Sequence, residues 1–365
     1  MKKVLIFSNH PAYTYNLRKE IIDGLVKNGL QVVLVVPFGE EVKYFENNGV
    51  KLIDINIVER SVNPLTDLKL LLDNLKILNN EKPDIVLTYA TKQNIYGGMA
   101  ARLTKTPYIP MITGLGTAIE NPGLLQKIAS TLYKMGTKGA TALFVQNESI
   151  REKLIRLNMV HSPVYMTPGS GVSLDRHQLV VYPDKSKSIQ FLYIGRIMKD
   201  KGIFELLEAA RLIKSKYPDV KFKVIGHGNL KEDINRVKKA NEEGVIEYLG
   251  KQSDVRPHIR SSHAIILPSY HEGMANVLLE SAATSRPIIA SRVPGCQETF
   301  DENITGFGFE AKDVNSLKEA VERFIVLPYD LKRDMGEAGR RKMEKEFDRT
   351  IILNMYLKII KKIGR

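Results

Sequence analysis

The sequence predicts an α/β protein built from two doubly wound, Rossmann-like domains that face each other across a cleft. Its length of 365 residues exceeds the roughly 250–300 at which a single hydrophobic core stops growing. Continuous apolar runs, rather than strict alternations, recur with amphipathic helical stretches between them, as parallel strands covered on both faces require. The series then restarts after a polar stretch, DRHQLVVYPDKSKS at 175–188. The expected division is 1–175, 176–346 and a last segment, 347–365.

In the first series KVLIFSN, QVVLVVP, DIVLTYA, YIPMIT, ALFVQN and PVYMTPG read as strands. Between them, YNLRKEIIDGLVKNG (15–29) reads as a helix with Gly29 as its C-cap, and PLTDLKLLLDNLKILNN (64–80) as another. In the second series IQFLYIGR, VKFKVIGHG, IEYLG, HAIILPS and PIIASRV are the strands. Helical periodicity closes the chain at roughly 313–326, 330–346 and 350–363.

Composition narrows the function classes. With 43% hydrophobic and 26% charged residues and no low-complexity tract, the chain is ordinary for a globular protein. The longest apolar run, LQVVLVVPF, is about half of the roughly 20 residues a membrane helix needs. The amino terminus gives four apolar residues, VLIF, before turning polar, too few for a secretory h-region. A lone cysteine, Cys296, cannot form an internal disulfide and suits a reducing cytoplasm. A cytoplasmic protein is therefore expected, at most attached to the inner face of the cell membrane. The net charge of +13 fits an anionic small substrate, an anionic lipid surface or a merely soluble basic exterior. Nucleic acid is not expected as a partner, since no RNP, zinc-finger or basic-region pattern is present.

The stretch HEGMANVLLE (271–280) joins the strand HAIILPSY to the helix ANVLLESAAT. Its turn therefore lies at a strand's carboxyl end and opens a helix, where free N–H groups and the helix dipole favour an anion. Gly273 allows close backbone approach to a ligand. Glu272 falls in the loop and Glu280 well inside the helix. Each carboxylate can accept two hydrogen bonds from a diol, so a ligand with hydroxyls on both sides of a phosphate fits, as a nucleotide sugar does. Taken alone, the same residues also suit a dipole-complementing acid and an ordinary helix-surface acid.

YIGRIMKDKG (193–202) is a second strand-to-helix turn, and there Arg196 and Lys201 would neutralise a departing diphosphate. Solvated surface cations are the alternative. GLGTAI, GSGVSL and GHGNLK each begin G-x-G but none completes the dinucleotide fingerprint, which weighs against hydride transfer. No D-x-D pair offers an acidic site for a metal–diphosphate complex, and no metal-type Cys/His spacing occurs.

With both turns in view, the chain resembles the retaining glycosyltransferases of family 4, which have the GT-B fold. Glu272-x7-Glu280 matches that family's E-x7-E motif within LPSYHEGMANVLLESAATSRPIIASRVPGCQE, and GRIMKDKG matches its G-R-x-x-x-x-K-G segment. Within the family, GLGTAI, LYK, VQNES and PGSGV resemble enzymes of bacterial capsule, exopolysaccharide and lipid-linked oligosaccharide assembly.

The resemblance implies a hexose or N-acetylhexosamine transferred from a UDP-sugar to a glycan acceptor linked to polyprenyl diphosphate. It implies no cofactor and no metal. Glu280 would hold the ribose hydroxyls and Glu272 those of the donor sugar. Backbone N–H groups of Met274, Ala275 and Asn276 would contact sugar and phosphate, Arg196 and Lys201 would bind the diphosphate, and Gly195 and Gly226 would line the donor site. The final helix would cross back onto the amino-terminal domain. Many relatives carry a glycine pair after the first strand, where this chain has SNHPAYTYN, and a histidine where GLG (114–116) stands. The family's G-V-D reads Gly171-Val172-Ser173. Asn9, Lys92, Thr113 and Gly116 are accordingly the amino-domain candidates for the cleft or acceptor. Basic amphipathic character in GLLQKIASTLYKMGTKG (123–139) and MYLKIIKKIGR (355–365) suits either an anionic lipid surface or a solvated helix packed by one face. Two other classes stay open: a sugar-nucleotide epimerase of the same fold, and a nucleotide- or nucleic-acid-binding module without chemistry.

Overall fold

The computed structural model describes residues 1–57, 63–115, 119, 123–185 and 188–363. The chain forms two compact units, Met1–Gly171 with Arg349–Arg365, and Val172–Asp348. The changeovers lie four and two residues from the sequence expectation. They fall on either side of a bridge between Val172 and Asp348, where the Val172 N–H donates to the Phe347 carbonyl at 2.8 Å.

The first unit contains a parallel sheet of β1 (Lys3–Phe7), β2 (Gln31–Val35), β3 (Lys51–Ile53), β4 (Ile85–Tyr89), β5 (Tyr108–Ile112), β6 (Leu143–Val145) and β7 (Val164–Met166). Their order is β3-β2-β1-β4-β5-β6-β7. Alternate side chains of β1 enter different cores: Val4 and Ile6 join the core beneath helices Pro11–Lys27 and Arg349–Lys362, Leu5 and Phe7 the other. Both faces are therefore buried, which is why the strands read as unbroken apolar runs. Helix Pro11–Lys27 starts four residues before its predicted beginning because Pro11 occupies its first turn, a position that lacks nothing by losing an N–H. It ends with Gly29 at φ +76, whose N–H donates to Val26, while Leu30 donates to Leu25. The final helix packs in this unit, with Tyr356 stacked on Phe144 and bonded to the Tyr89 hydroxyl at 3.0 Å.

The second unit holds β8 (Gln190–Ile194), β9 (Lys221–Ile225), β10 (Glu247–Tyr248), β11 (Ala264–Leu267), β12 (Ile288–Ser291) and β13 (Gly306–Phe309), all parallel, in the order β10-β9-β8-β11-β12-β13. Two strands absent from the sequence reading, β3 and β13, sit at sheet edges. KLI is only three residues long and GFGF is half glycine, so neither carries much apolar signal. Gly306 is required by packing, since a Cβ there would lie 2.1 Å from the Ile288 carbonyl oxygen. Arg286 is wholly buried and pairs with no carboxylate among the described residues; its guanidinium instead donates to carbonyls that include Ile259, Arg260, Val181 and Thr284. Burial lowers its pKa to about 10.

Candidate functional site: the carboxyl ends of the second sheet

In a doubly wound sheet the strands' carboxyl ends carry the ligand, because helix N-termini point there. β8 and β11 are neighbours in the second sheet, and the two turns singled out from sequence follow them directly. After β8 the chain passes Gly195 and the exposed Arg196, makes one 3-10 turn (Lys199–Lys201) and enters helix Ile203–Lys216 through Gly202. Gly202 has φ +65, and a Cβ there would lie 1.9 Å from the Pro268 carbonyl oxygen. Only glycine lets the turn after β8 close on the turn after β11.

That closure brings Lys201 to Glu272, 71 positions apart in sequence. The ammonium lies 2.6 Å from Oε1 of the carboxylate, and both side chains are only 17% exposed. Ser269 donates to the same oxygen at 2.8 Å. Two donors converging on one carboxylate oxygen fix the side chain in a single orientation, and the charge-assisted one is the stronger. Beneath them lies Tyr193, buried, its hydroxyl donating to the Arg196 carbonyl at 2.9 Å. Burial, and secondarily Glu272, push its pKa far up, so it stays a neutral donor. The pKa of the buried Cys296 thiol is likewise raised by burial and by Glu272, which disfavours the reactive thiolate.

The Glu272 loop is held by the segment that follows β12. Gly295, at φ +84 after β12, approaches so closely that a Cβ would lie 2.4 Å from the Glu272 carbonyl oxygen. Glu272 donates its N–H to Pro294 at 3.3 Å and Ala275 donates to Gly295 at 2.8 Å, while Gly295 donates to the Glu298 carboxylate at 2.7 Å. The Ala275 N–H, named from the resemblance as a ligand contact, is thus engaged by the Gly295 carbonyl. Helix Asn276–Ala283 follows, with no side-chain cap. Oδ1 of Asn276 is buried and meets no hydrogen-bond partner among the described residues. Met274 and Ala275 are buried; Gly273 and Glu280 are half-buried, with Glu280 roughly 6 Å along the helix from Asn276.

Gly195 and Gly226 play a packing part. A Cβ on Gly226 would lie 1.9 Å from the Gly195 carbonyl oxygen, so the ends of β8 and β9 can draw together only there. Among the described residues, no group of three His, Cys, Asp or Glu side chains could hold a metal ion.

The amino-domain candidates belong to the other unit. Asn9, Lys92 and Thr113 follow β1, β4 and β5, three adjacent strands, at their carboxyl ends. Asn9 and Thr113 are half-exposed. Lys92 is held in an ion pair with Asp67 at 2.7 Å, and Tyr96 donates to the same carboxylate at 2.9 Å. Gly116 lies outside the described residues. The residues that sequence reading missed are Ser269, Gly202 and Gly295. For Ser269 the signal was its place three residues before Glu272; for the glycines, nothing in one sequence marks which backbone they must approach.

Two family models match the chain: "Glycosyl transferase 4-like" over residues 3–147 and "Glycosyl transferases group 1" over 178–342. The chain is 26% identical over 379 residues, covering 99% of each chain, to the Campylobacter jejuni N,N'-diacetylbacillosaminyl-diphospho-undecaprenol alpha-1,3-N-acetylgalactosaminyltransferase. It is 28% identical over 345 residues to the Staphylococcus aureus capsular polysaccharide biosynthesis glycosyltransferase CapM, covering 91% of this chain and 90% of that one. The Anabaena protein HepE, solved in complex with UDP and glucose, superposes with a TM-score of 0.79 at 13% identity, over 99% of this chain and 100% of that one, which establishes the shared GT-B fold. The chain belongs to the glycosyltransferases that join a glycosyl transferase 4-like domain to a glycosyl transferases group 1 domain.

Proposed function

We propose that this glycosyltransferase moves a hexose or N-acetylhexosamine from a UDP-sugar to a polyprenyl-diphosphate-linked glycan, retaining the anomeric configuration and using no metal, in the synthesis of a bacterial cell-surface polysaccharide. The observation that carries the reading is the convergence of Lys201 and Ser269 on Glu272 beside the uncapped start of helix Asn276–Ala283. The relatives' names add support: the Campylobacter enzyme is named for a diphospho-undecaprenol acceptor, and HepE was solved with UDP and glucose.

In this reading the helix start and Arg196 receive the diphosphate, Glu280 takes the ribose hydroxyls, and Glu272 takes hydroxyls of the sugar. The bond from the anomeric carbon to the β-phosphate oxygen breaks while the acceptor oxygen bonds to that carbon on the same face. The acceptor proton leaves with the diphosphate. Fixed positive charge and the helix dipole stabilise the leaving group, so no dedicated base is required. The test is UDP release from a panel of UDP-sugars with and without a lipid-linked saccharide. Release that requires the acceptor and survives EDTA supports the reading. Interconversion of UDP-sugars without release would replace it with an epimerase.

Attachment to the membrane surface is part of the same proposal. Helix Leu124–Thr137 exposes Leu124 (75%), Leu125, Ile128 and Met135, and helix Pro64–Glu81 exposes Leu65 (76%), Leu68 and Leu72. Both helices cover the same side of the first sheet, with helix Gly98–Leu103 packed against each of them and Leu103 also exposed. Lys69, Lys76, Lys127 and Lys138 are exposed on these elements, the mixture that binds an anionic bilayer. Among the described residues no helix is long and apolar enough to cross a membrane. Binding to vesicles containing an anionic phospholipid, weakened by salt and by Leu124→Glu with Leu125→Glu, is the expected result. Equal indifference of wild type and variant to such vesicles at low salt would exclude the attachment.

A further inference from the structure

The amino-terminal unit shows a second feature, at the carboxyl ends of β1 and β2. The two most exposed aromatic side chains among the described residues, Tyr13 (62%) and Phe38 (59%), both lie there. Tyr13 stands in the first turn of the helix that follows β1, and Phe38 in the loop that follows β2, and the two strands are adjacent. The two segments touch: a Cβ on Gly39 would lie 2.9 Å from Cγ of Pro11. The Phe38 loop is pinned by its N–H, which donates to Asp54 at 2.9 Å. The Tyr13 turn is pinned by Thr14, which donates from both N–H and hydroxyl to the His10 carbonyl. One face of the Tyr13 ring rests on the His10 imidazole, with centroids 4.5 Å apart, and the ring is otherwise largely open to solvent.

Polar groups accompany the rings. The Nδ1 atom of His10 is buried yet has no hydrogen-bond partner among the described residues, and the neighbouring Asn9 is half-exposed. Two large apolar faces held open at a cost in hydration, beside an unpartnered imidazole nitrogen and a half-exposed amide, match one ligand chemistry well. A pyranose ring presents axial C–H bonds on one face, suited to an aromatic ring, and hydroxyls around its rim, suited to an amide and an imidazole. This is also the segment in which SNHPAYTYN stands in place of a glycine pair.

We infer that Tyr13 and Phe38, with Asn9 and His10, form a stacking subsite for a pyranose ring of the acceptor saccharide. The inference rests on the proposed glycosyl transfer and adds to it where the acceptor's sugar is held. The subsite selects acceptors by the ring face they offer. An axial hydroxyl on the stacked face would separate it from the aromatic ring, so epimers differing at that carbon should bind unequally.

Saturation-transfer NMR with methyl glycosides of glucose, galactose, N-acetylglucosamine and N-acetylgalactosamine tests it, with UDP-induced thermal stabilisation measured on the same samples. The wild type is expected to transfer saturation to the C–H protons of one ring face of at least one glycoside. Tyr13→Ala and Phe38→Ala should each weaken that binding by about tenfold. Tyr13→Phe and Phe38→Tyr should keep it, and all four variants should keep the wild-type response to UDP. Saturation transfer unchanged in both alanine variants, or absent from the wild type for every glycoside, would overturn the subsite. So would loss of anionic-vesicle binding in the alanine variants with saccharide binding intact, which would assign the rings to lipid. A wild type that ignores UDP but binds glycosides through these rings would instead defeat the donor reading and leave the subsite standing.

Discussion

Replacing Gly295 by alanine tests how strictly the loop after β12 positions Glu272. The residue sits at φ +84, where a side chain costs about 1–2 kcal/mol. The new methyl would meet the Glu272 carbonyl oxygen at 2.4 Å and its carbon at 2.7 Å, both backbone atoms that cannot rotate aside. Restoring ordinary contact requires the two segments to separate by about 1 Å, and such overpacking costs a further ~1–3 kcal/mol. A destabilisation of about 2–5 kcal/mol lowers the melting temperature of a unit this size by roughly 4–20 °C. Moving the Glu272 carboxylate by about 1 Å lowers turnover on the order of 100-fold. The assay is kcat at saturating UDP-sugar together with the melting temperature. Gly244→Ala is the control: its φ is +70 but no atom lies within 4 Å of the added methyl, so it should lose only the backbone cost of about 1–2 kcal/mol and no activity. Gly295→Ala within twofold of wild-type turnover, and as stable as the control, would refute the reasoning.

Glu272→Ala and Arg196→Ala should each lower kcat by about two to three orders of magnitude, the range for removing one preorganised group; full activity in either, measured as acceptor-dependent UDP release, removes it from the assignment. Gly136→Ala should destabilise the first unit by about 3 kcal/mol or more in denaturant unfolding, because its methyl would lie 2.5 Å from the Ile95 Cα. Asp254 is held at a pKa of about 2, chiefly by its hydrogen bond to Arg256. Its depressed folded-state pKa means that any stabilisation from the pair is present above about pH 4 and is lost as pH falls towards 2. Carbon-13 NMR of the carboxyl group should show that titration, and Arg256→Ala should return it to about 4.

Much of the fold was legible because both sheets are parallel and covered on both faces, which turns strands such as β1 and β11 into unbroken apolar words. The strands β3 and β13 were not, since KLI is three residues long and the glycines of GFGF replace half of the apolar side chains that would mark a buried strand. The candidate site was legible as two separate turns, each recognisable by a strand, a glycine and a helix start. Their union was not, because nothing local in GRIMKDKG or HEGMANVLLE says that Lys201 reaches Glu272. That contact depends on β8 and β11 being neighbours and on Gly202 admitting the Pro268 carbonyl. Lys92 shows the converse: its position at a strand end was readable, but its partner Asp67, on a helix before that strand, was not.

The donor site is the central claim, and thermal unfolding with UDP, GDP, ADP and NAD, each with and without EDTA, tests it most directly. A ligand that binds only the native state raises its stability by mass action. A shift with UDP alone, unchanged by EDTA and lost in Glu280→Ala, is the expected result. A preference for NAD, a shift abolished by EDTA, or no response to any nucleotide would contradict it.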